Sequence, residues 1–339
     1  MLPDIDLGGA GRGGALTPAL SIVIPTWNGR ELLAECLASV SRQTFSDFEI
    51  VVVDDGSADG TAGWLRAAYP SVLAIECPEN RGFVAAVNRG LGLARGDWVL
   101  LLNNDVTLAE DCLERLMAVA RAGEFGMIAP LVLWTEDPRL VYSAGDAMGR
   151  GGRPSAIGYG SGRDSLAIET EPFGVSGGYG LFSRALIGEA GILDPSFGAY
   201  FEDADLSFRA RWAGWRAAVV PEAVAWHQGS ATIRDRLWWR TRQCYRNHAL
   251  LVIKNFSLSM LWWNAGAIIR ERAHQFGRVF AAARHEWGAA RAAAYTFSAW
   301  LGLVARIPGA LVRRRGVMSR RKVSSASMQA LLAEERRDG

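Results

Sequence analysis

The sequence predicts an α/β fold whose mainly parallel sheet is flanked by helices. Short apolar, β-branched runs alternate with segments of helical periodicity through the first third of the chain, which is the pattern of repeated βαβ units. Polar residues follow the ends of these runs, where ligands gather in parallel sheets. From about residue 235 the sequence is helical throughout. We therefore expect a C-terminal helical extension beyond the sheet.

Four strands are predicted in the first third, each short and apolar, as expected for strands that are buried on both faces. They cover residues 20–25, 48–53, 72–76 and 97–102. Helical spacing predicts helices over residues 29–41, 60–68, 82–94 and about 109–122.

The regular alternation weakens after about residue 127. Strands are predicted over residues 128–134 and 216–220, with a helix near 184–190. Residues 144–165 are rich in Gly, Ser and Arg, a composition that predicts a mobile loop.

Charge is unevenly distributed along the 339 residues. Residues 234–339 carry a net charge of +14, whereas the rest carries −12. A basic tail on an acidic body predicts contact with something anionic. The four cysteines are scattered without a CxxC spacing, which favours a reducing compartment and argues against a disulfide framework or a zinc site.

The most informative segment is AYFEDADLSFRARWAGWR, residues 199–216. Glu202, Asp203 and Asp205 lie where a helix begins, and acids are favoured there by unpaired N–H groups and by the helix dipole. A carboxylate held beside aromatic surface is also a candidate general base. The structural alternative is that the acids only cap the helix, with Asp205 pairing with Arg209.

Six motifs in order give the chain a family resemblance over residues 20–255. They are SIVIPTWNG, EIVVVDDGSADGT, NRGFVAAVNRGL, VLLLNNDV, GVSGGYGLFSR and YFEDADLSFR. Together they resemble the family 2 glycosyltransferases, which have the GT-A fold. NND, FEDADL, a downstream His and a YRN…K helix are most similar to the bacterial rhamnosyltransferase-type group.

The resemblance implies a site for a nucleotide-diphosphate sugar at the strand ends. Asp55 would accept the N–H of a uracil or thymine ring, with Asp54 the second choice, and Trp27 would cover the base. Arg81 is a candidate diphosphate partner, and the alternative is a surface charge. The other predicted donor-binding residues are Pro25, Thr26, Asn28, Asn80, Gly82, Asn88, Asn103 and Asn104. The DDGS segment taken alone also fits a turn followed by a helix cap.

A divalent ion, Mg²⁺ or Mn²⁺, is implied at NND. The family pattern is Asp-x-Asp, so Asn103 removes one charge, and Asp105 is the predicted metal ligand. One protein carboxylate can suffice for magnesium when phosphates and water complete the shell. His227 resembles the family's downstream His, a second metal or phosphate contact, and the alternative is a structural histidine.

Asp203 matches the family's general base, which would deprotonate the acceptor as it attacks the anomeric carbon. A single displacement inverts that carbon. Glu202 would support Asp203 or bind the acceptor. Gly177 and Gly178 would allow close approach of the backbone to the sugar, although a strand bulge is an alternative.

These assignments divide the chain into three parts. Residues 1–18 form a disordered leader, and residues 19–233 form the GT-A catalytic domain, with a nucleotide-binding half (19–125) and an acceptor half (126–233). Residues 234–339 form a helical, basic region. Its Trp pairs beside arginines favour peripheral contact with a membrane, and packing on the catalytic domain or in a homodimer is the alternative.

The predicted function is transfer of a sugar, with L-rhamnose as the first choice, from a dTDP- or UDP-sugar to a glycan or lipid-linked glycan of the cell surface. The protein would act in the cytoplasm at the inner face of the membrane, and no nucleic-acid partner is expected. The alternatives are a non-catalytic sugar-nucleotide or glycan-binding protein with the same fold and a nucleotidyltransferase.

Overall fold

The computed structural model describes residues 17–167, 171–229 and 237–333. Its main sheet has nine strands, eight of them in the order β3-β2-β1-β4-β10-β6-β11-β5, with β7 paired to β6. These strands are β1 (Leu20–Thr26), β2 (Phe48–Asp54), β3 (Leu73–Glu76), β4 (Trp98–Leu101), β5 (Val106–Leu108), β6 (Met127–Trp134), β7 (Val141–Ser143), β10 (Leu181–Ser183) and β11 (Ala217–His227). β8 (Asp146–Met148) and β9 (Pro154–Ala156) form a separate two-stranded sheet.

The first four strands pair in parallel, as the sequence predicts. β1 pairs in parallel with β2 and β4, and β2 pairs in parallel with β3. Every residue of β1 is buried, as expected for a strand that is covered on both faces. The carboxyl ends of β1, β2 and β4 therefore open at the same edge, which gathers the polar residues that follow them.

Beyond β4 the sheet is mixed rather than parallel. β10 runs antiparallel to both β4 and β6, and β11 pairs in parallel with β6 but antiparallel with β5. Among the described residues between β6 and β10 there is no α-helix. Antiparallel neighbours do not need the helical crossover that parallel neighbours need. This arrangement brings the segment before β10 against the end of β4.

Helices cover both faces of the sheet. They are α1 (Arg30–Ser41), α2 (Thr61–Ala68), α3 (Phe83–Leu91), α4 (Cys112–Arg121), α5 (Arg184–Ala190) and α6 (Glu202–Trp212). The bounds agree with the predicted helices to within three residues at each end. The loop prediction for residues 144–165 is wrong in part, because residues 146–156 pair as the β8–β9 hairpin.

Six further helices follow the sheet, as predicted: α7 (Leu237–Asn255), α8 (Leu258–Trp263), α9 (Ala265–Trp287), α10 (Ala289–Val304), α11 (Ile307–Ser319) and α12 (Ser325–Ala330). Phe208 and Trp212 of α6 share one apolar cluster with Tyr245, Leu251 and other buried residues of these helices. The helical region is therefore packed on the helix that carries the predicted base.

Two boundary predictions remain open. The leader, apart from residues 17 and 18, and the division at 233/234 lie outside the described residues. Within the described residues, no single helix combines the length and apolar composition needed to cross a membrane; α10 and α11 do so only as a pair bent by 42°.

Candidate active site

The turns after β1 and β4 are joined directly. The Asn104 amide donates to the hydroxyl of Thr26 at 2.9 Å. Gly29 lies against that amide, because a Cβ there would come 2.4 Å from Asn104 Nδ2. Asn28, in the left-handed region with φ 49°, accepts the N–H of Ala58 at 2.8 Å. Trp27 remains more than one-third exposed, and Pro25 is buried within β1.

Asp54 and Asp55 are both buried but have different surroundings. Asp54 Oδ1 accepts the N–H of Ser57 at 2.9 Å, and its Oδ2 has no hydrogen-bond partner among the described residues. Asp55 accepts the N–H groups of Arg81 and Gly82 at 2.7–3.1 Å. Asp55 thus fixes the start of α3, which is not the helix that directly follows DDGS, and the oxygen without a partner among the described residues belongs to Asp54.

The four predicted residues around α3 differ in their accessibility. Asn80 is exposed, and Gly82 directly precedes the helix. The Arg81 guanidinium pairs with Glu79 at 3.1 Å, and both side chains are about two-thirds exposed. Asn88 uses both ends of its amide on the backbone of Leu193, at 2.8 and 3.1 Å. Asn88 therefore holds the segment after α5 against α3 rather than facing an open site.

Asp105 and His227 meet at the predicted metal position. Oδ1 of Asp105 lies 3.1 Å from Nε2 of His227, and both side chains are at least nine-tenths buried. His227 Nδ1 is buried and lacks a partner in the described part of the chain, and the Tyr142 ring packs edge-on against the imidazole at 4.3 Å. Among residues 17–167, 171–229 and 237–333, no group of three or more His, Cys, Asp or Glu side chains is arranged to hold a metal ion. A carboxylate with an imidazole fits a divalent ion that phosphate oxygens complete.

Gly177 and Gly178 connect the metal position to the predicted base. The Asn103 N–H donates to Gly178 O at 2.8 Å, and a Cβ at Gly178 would come 2.6 Å from Asn103 Nδ2. The Gly177 N–H donates to Asp203 Oδ2 at 3.1 Å. The predicted glycine pair therefore lies between NND and FED, in contact with both.

Asp203 is partly buried in the first turn of α6. Burial raises the pKa of its carboxyl, although the N–H groups of Gly177 and Ala204 act in the opposite direction. The Ala204 N–H donates to Oδ1 at 2.8 Å. A carboxylate held by two backbone donors and with a raised pKa suits proton abstraction from a hydroxyl.

Glu202 is buried beside Asp203, and its Oε2 has no partner among the described residues. Burial, and then the charge of Asp203, raise the pKa of the Glu202 carboxyl to about 8. Glu202 is therefore mainly neutral at neutral pH. A neutral acid can donate a hydrogen bond, which fits the predicted supporting role.

The loop before α6 is strained. Tyr200 and Phe201 both have left-handed backbones, with φ 67° and 72°, a conformation that costs free energy for large side chains. Asn247 of α7 holds this loop, because its amide lies 2.8 Å from the carbonyl oxygens of Phe197, Ala199 and Tyr200. Asn247 belongs to the YRN motif, but no role for it was predicted from that motif.

Asp205 has the structural role that the pairing alternative predicts. Arg209 Nε donates to its Oδ2 at 2.8 Å. Lys254 and Asn255 of α7 donate to the same carboxylate, each at 2.9 Å. Asp203 lies two positions before this anchor, so α7 fixes the helix that presents the candidate base.

Asp146 is the acid that sequence reasoning missed. It lies at the start of β8, bonded through its backbone to residues 173 and 174. Burial, and then the charge of Asp203, raise the pKa of Asp146 well above its ordinary value. Asp146 was not predicted as a site residue because it lies in the Gly-rich segment 144–165, which was expected to be a loop.

Comparison with known proteins places these features in a family. The glycosyl transferase family 2 model matches residues 21–189. N-acetylglucosaminyl-diphospho-decaprenol L-rhamnosyltransferase of Mycobacterium tuberculosis (strain ATCC 25618 / H37Rv) is 31% identical over 247 residues, which are 65% of this chain and 80% of the relative. A PGL/p-HBAD biosynthesis glycosyltransferase of Mycobacterium bovis (strain BCG / Pasteur 1173P2) is 43% identical over 105 residues, 30% of this chain and 41% of the relative.

Two solved structures share the fold. GalNAc-T7, crystallised with UDP, GalNAc and Mn²⁺, has a TM-score of 0.55 at 18% identity and covers 70% of this chain and 48% of its own. The mannosyltransferase PcManGT from Pyrobaculum calidifontis, in complex with GDP-Man and Mn²⁺, has a TM-score of 0.54 at 20% identity. The match covers 94% of this chain and 89% of the mannosyltransferase. The fold and the sequence relatives together show that this chain belongs to glycosyltransferase family 2, has the GT-A fold and is a glycosyltransferase.

Proposed function

We propose that the enzyme is an inverting, divalent-metal-dependent glycosyltransferase that extends a lipid-linked glycan during cell-surface polysaccharide synthesis. The observation that carries the proposal is the continuous contact path from Asn103, through Gly177 and Gly178, to Asp203. It puts a candidate base beside the turn that carries the candidate metal ligand. A transferase needs these two functions on opposite sides of one anomeric carbon.

L-rhamnose is the proposed sugar and dTDP or UDP the proposed nucleotide. Support for rhamnose comes from the name of the Mycobacterium tuberculosis relative, of which this chain covers 80%. Support for a pyrimidine nucleotide comes from Asp54 Oδ2 at the end of β2, which has no hydrogen-bond partner among the described residues, since a carboxylate oxygen can accept the ring N–H of uracil or thymine. Asp54 is therefore the proposed acceptor, whereas the sequence favoured Asp55.

The proposed reaction is a single displacement. Asp203 accepts the proton of the acceptor hydroxyl as the hydroxyl oxygen bonds to the anomeric carbon. The bond from that carbon to the nucleotide diphosphate breaks, and the diphosphate leaves with both bonding electrons. The configuration inverts because attack and departure occur on opposite faces, through an oxocarbenium-like transition state.

Asp105 and His227 are the residues that would hold Mg²⁺ or Mn²⁺. A bound divalent ion supplies electrostatic stabilisation of the negative charge on the leaving diphosphate. The amides of Asn103 and Asn104 contribute no charge, so they would orient the sugar or the ribose. Gly178 keeps the space that the Asn103 side chain needs.

The partner of the helical region is proposed to be an anionic membrane at its cytoplasmic face. Leu258 and Trp262, one turn apart on α8, are 78% and 82% exposed. α10 exposes Phe297, Trp300, Leu301 and Val304, which the spacing places on one face of that helix. Basic residues at 313–315 and 320–322 suit anionic headgroups next to such a surface.

The test of the function compares Asp203→Asn with wild type in sugar transfer from a panel of nucleotide sugars, with Mg²⁺ or Mn²⁺ present. Removing a general base lowers the rate by about 10²–10⁴-fold. The matched control is Asp111→Asn, which changes a partly exposed acid directly before α4 that pairs with Arg115. Equal rates for Asp203→Asn and wild type would refute the assignment, and product in the retained configuration would refute the single displacement.

A further inference from the structure

A cationic cleft lies next to the start of α6 and outside the proposed donor site. It has a volume of about 120 Å³ and is bounded by the β8–β9 hairpin, α6, α7 and α9. Its arginines come from three separate elements, Arg153 before β9, Arg240 on α7 and Arg278 on α9. None of the strands that end at NND or DDGS contributes to its wall.

The three guanidinium groups have no carboxylate in an ion pair with them, as far as the described residues extend. Arg240 instead lies over the Tyr200 ring at 5.6 Å. The charges of all three arginines act on the Cys244 thiol in the wall. Burial raises the pKa of this thiol to about 11, and Arg240, Arg278 and Arg153 oppose that rise. Like charges gathered around one space repel each other unless an anion occupies it.

Glu202 does not neutralise this cluster at neutral pH. Glu202 acts electrostatically on Cys244, but its raised pKa of about 8 keeps it mainly protonated at neutral pH. The cleft therefore retains a net positive charge. The Thr241 hydroxyl in the wall donates to backbone carbonyls of its own helix, and the Gln275 amide donates to Glu271 at 2.7 Å. The arginines are therefore the groups that suit phosphate oxygens.

The position of the cleft relates it to the acceptor. Phe201 forms part of its wall and is two residues before Asp203. Asp203 itself contacts Gly177 next to NND, so the helix that begins beside the cleft also carries the candidate base. The cleft is smaller than the roughly 300–1,000 Å³ of pockets that enclose whole ligands, so it would hold one charged group of a larger molecule.

We infer that Arg153, Arg240 and Arg278 form a subsite for the phosphate or diphosphate group of the acceptor. The inference rests on the proposed function, and it specifies the acceptor class as a glycan linked through phosphate to its carrier. The guanidinium groups bind the phosphate oxygens and hold the glycan hydroxyl near Asp203. The donor's own diphosphate remains at Asp105 and His227.

The first experiment measures binding of inorganic pyrophosphate by calorimetry, without metal and with the donor site saturated by UDP. Wild type should bind, and Arg240→Gln/Arg278→Gln should weaken binding at least tenfold. The matched control is Arg284→Gln, an exposed arginine on α9. Unchanged pyrophosphate affinity in the double variant overturns the inference. This readout needs no transfer, so it is separate from failure of the proposed function.

The second experiment uses the full enzyme with a prenyl-diphosphate-linked N-acetylglucosamine and with the same sugar as a methyl glycoside. The double variant should raise KM for the diphosphate-linked acceptor at least tenfold and leave KM for the nucleotide sugar unchanged. Its rate with the methyl glycoside should equal wild type. An equal loss with both acceptors would show a general disturbance and contradict the subsite.

The third experiment distinguishes an acceptor phosphate from a phospholipid headgroup. The double variant should pellet with phosphatidylglycerol vesicles as well as wild type does. Loss of vesicle binding together with an unchanged KM for the acceptor would assign the cleft to membrane lipid and overturn the inference. If the double variant does not fold, judged by thermal unfolding, Arg153→Gln alone provides the same three comparisons on a different element.

Discussion

Nζ of Lys254 on α7 lies 2.9 Å from the carboxylate of Asp205, two residues after the candidate base. The same ammonium donates to Asp194 at 2.7 Å, and all three side chains are almost fully buried. This link ties α7 to Asp194 and to the first turn of α6, the helix that carries the candidate base. The helices after residue 237 are therefore part of the site's support.

Lys254→Met should destabilise the protein strongly. It leaves the buried Asp194 and Asp205 carboxylates without their shared cation, a change that typically costs about 3–5 kcal/mol. The matched control is Lys322→Met, whose pair with Glu189 is largely exposed and should be worth less than about 1 kcal/mol. Denaturant unfolding measures both, and equal losses would contradict the buried network.

The same network predicts acid sensitivity. Burial raises the pKa of Asp194, but Lys254 overcomes this and lowers it to about 2 from an ordinary 3.8. Because the folded-state pKa is depressed, the stabilisation is present above about pH 4 and is lost as pH falls toward 2. Unfolding curves at pH 5, 4 and 3 should show wild type losing more stability than Lys254→Met does.

Asp203 and Asp146 are two nearby acids, and only one should act as the base. Because the pKa of Asp146 is raised well above its ordinary value, an amide at that position resembles the protonated, neutral carboxyl. Asp146→Asn should therefore lower kcat less than tenfold, whereas Asp203→Asn should lower it about 10²–10⁴-fold. Steady-state transfer rates of the two variants decide between them, and the reverse order would assign the base to Asp146.

Glu202→Gln should change how stability depends on pH. The pKa of Glu202 is raised from 4.5 to about 8 in the folded state, so wild-type stability is complete below about pH 4.5 and falls by a few kcal/mol as pH rises through 8. The variant lacks this titration, so its stability relative to wild type should increase from pH 5 to 8.5. Glu202→Met should show the same pH trend, although its absolute stability differs. A constant difference across the range would contradict the buried neutral acid.

The parallel half of the sheet could be predicted because β1 to β4 are short, buried and separated by helices, a pattern that leaves few arrangements. The turns of the candidate site could be predicted as well, because they directly follow the carboxyl ends of those strands. The antiparallel β10 could not be predicted, because three residues carry no periodicity that fixes their direction. Asp146 and Arg153 were missed for a similar reason, since the β8–β9 hairpin lies in a Gly-rich segment that resembles a loop.

The roles of individual residues depended on contacts over long sequence separations. Asn88 and Asn247 were noticed as parts of motifs, but their amides bond to Leu193 and to the loop at Phe197, Ala199 and Tyr200. No local pattern distinguishes such an amide from one that binds a ligand. Asp205, in contrast, was assigned correctly because its partner Arg209 lies one helical turn away.

Asp105→Asn and His227→Gln should each weaken Mn²⁺ binding at least tenfold in the presence of UDP. The reason is that, in the part of the chain that the structure describes, only this carboxylate and imidazole meet at the NND turn, so the loss of one leaves a single strong ligand. Electron paramagnetic resonance of free Mn²⁺ measures the affinity without requiring turnover. Asp111→Asn is the control, and unchanged affinity in both test variants would place the ion elsewhere.

The exposed apolar faces of the C-terminal helices should bind anionic membranes. Trp262→Ser/Trp263→Ser removes two exposed rings of α8 and should reduce pelleting with phosphatidylglycerol vesicles several-fold. Binding by wild type should also weaken in high salt, since basic residues contribute and exposed charges are screened. Leu73→Ser, an exposed apolar residue of the edge strand β3, should bind like wild type. If vesicle binding is unchanged while light scattering shows that the double variant loses a dimer, the surface joins two copies of the chain.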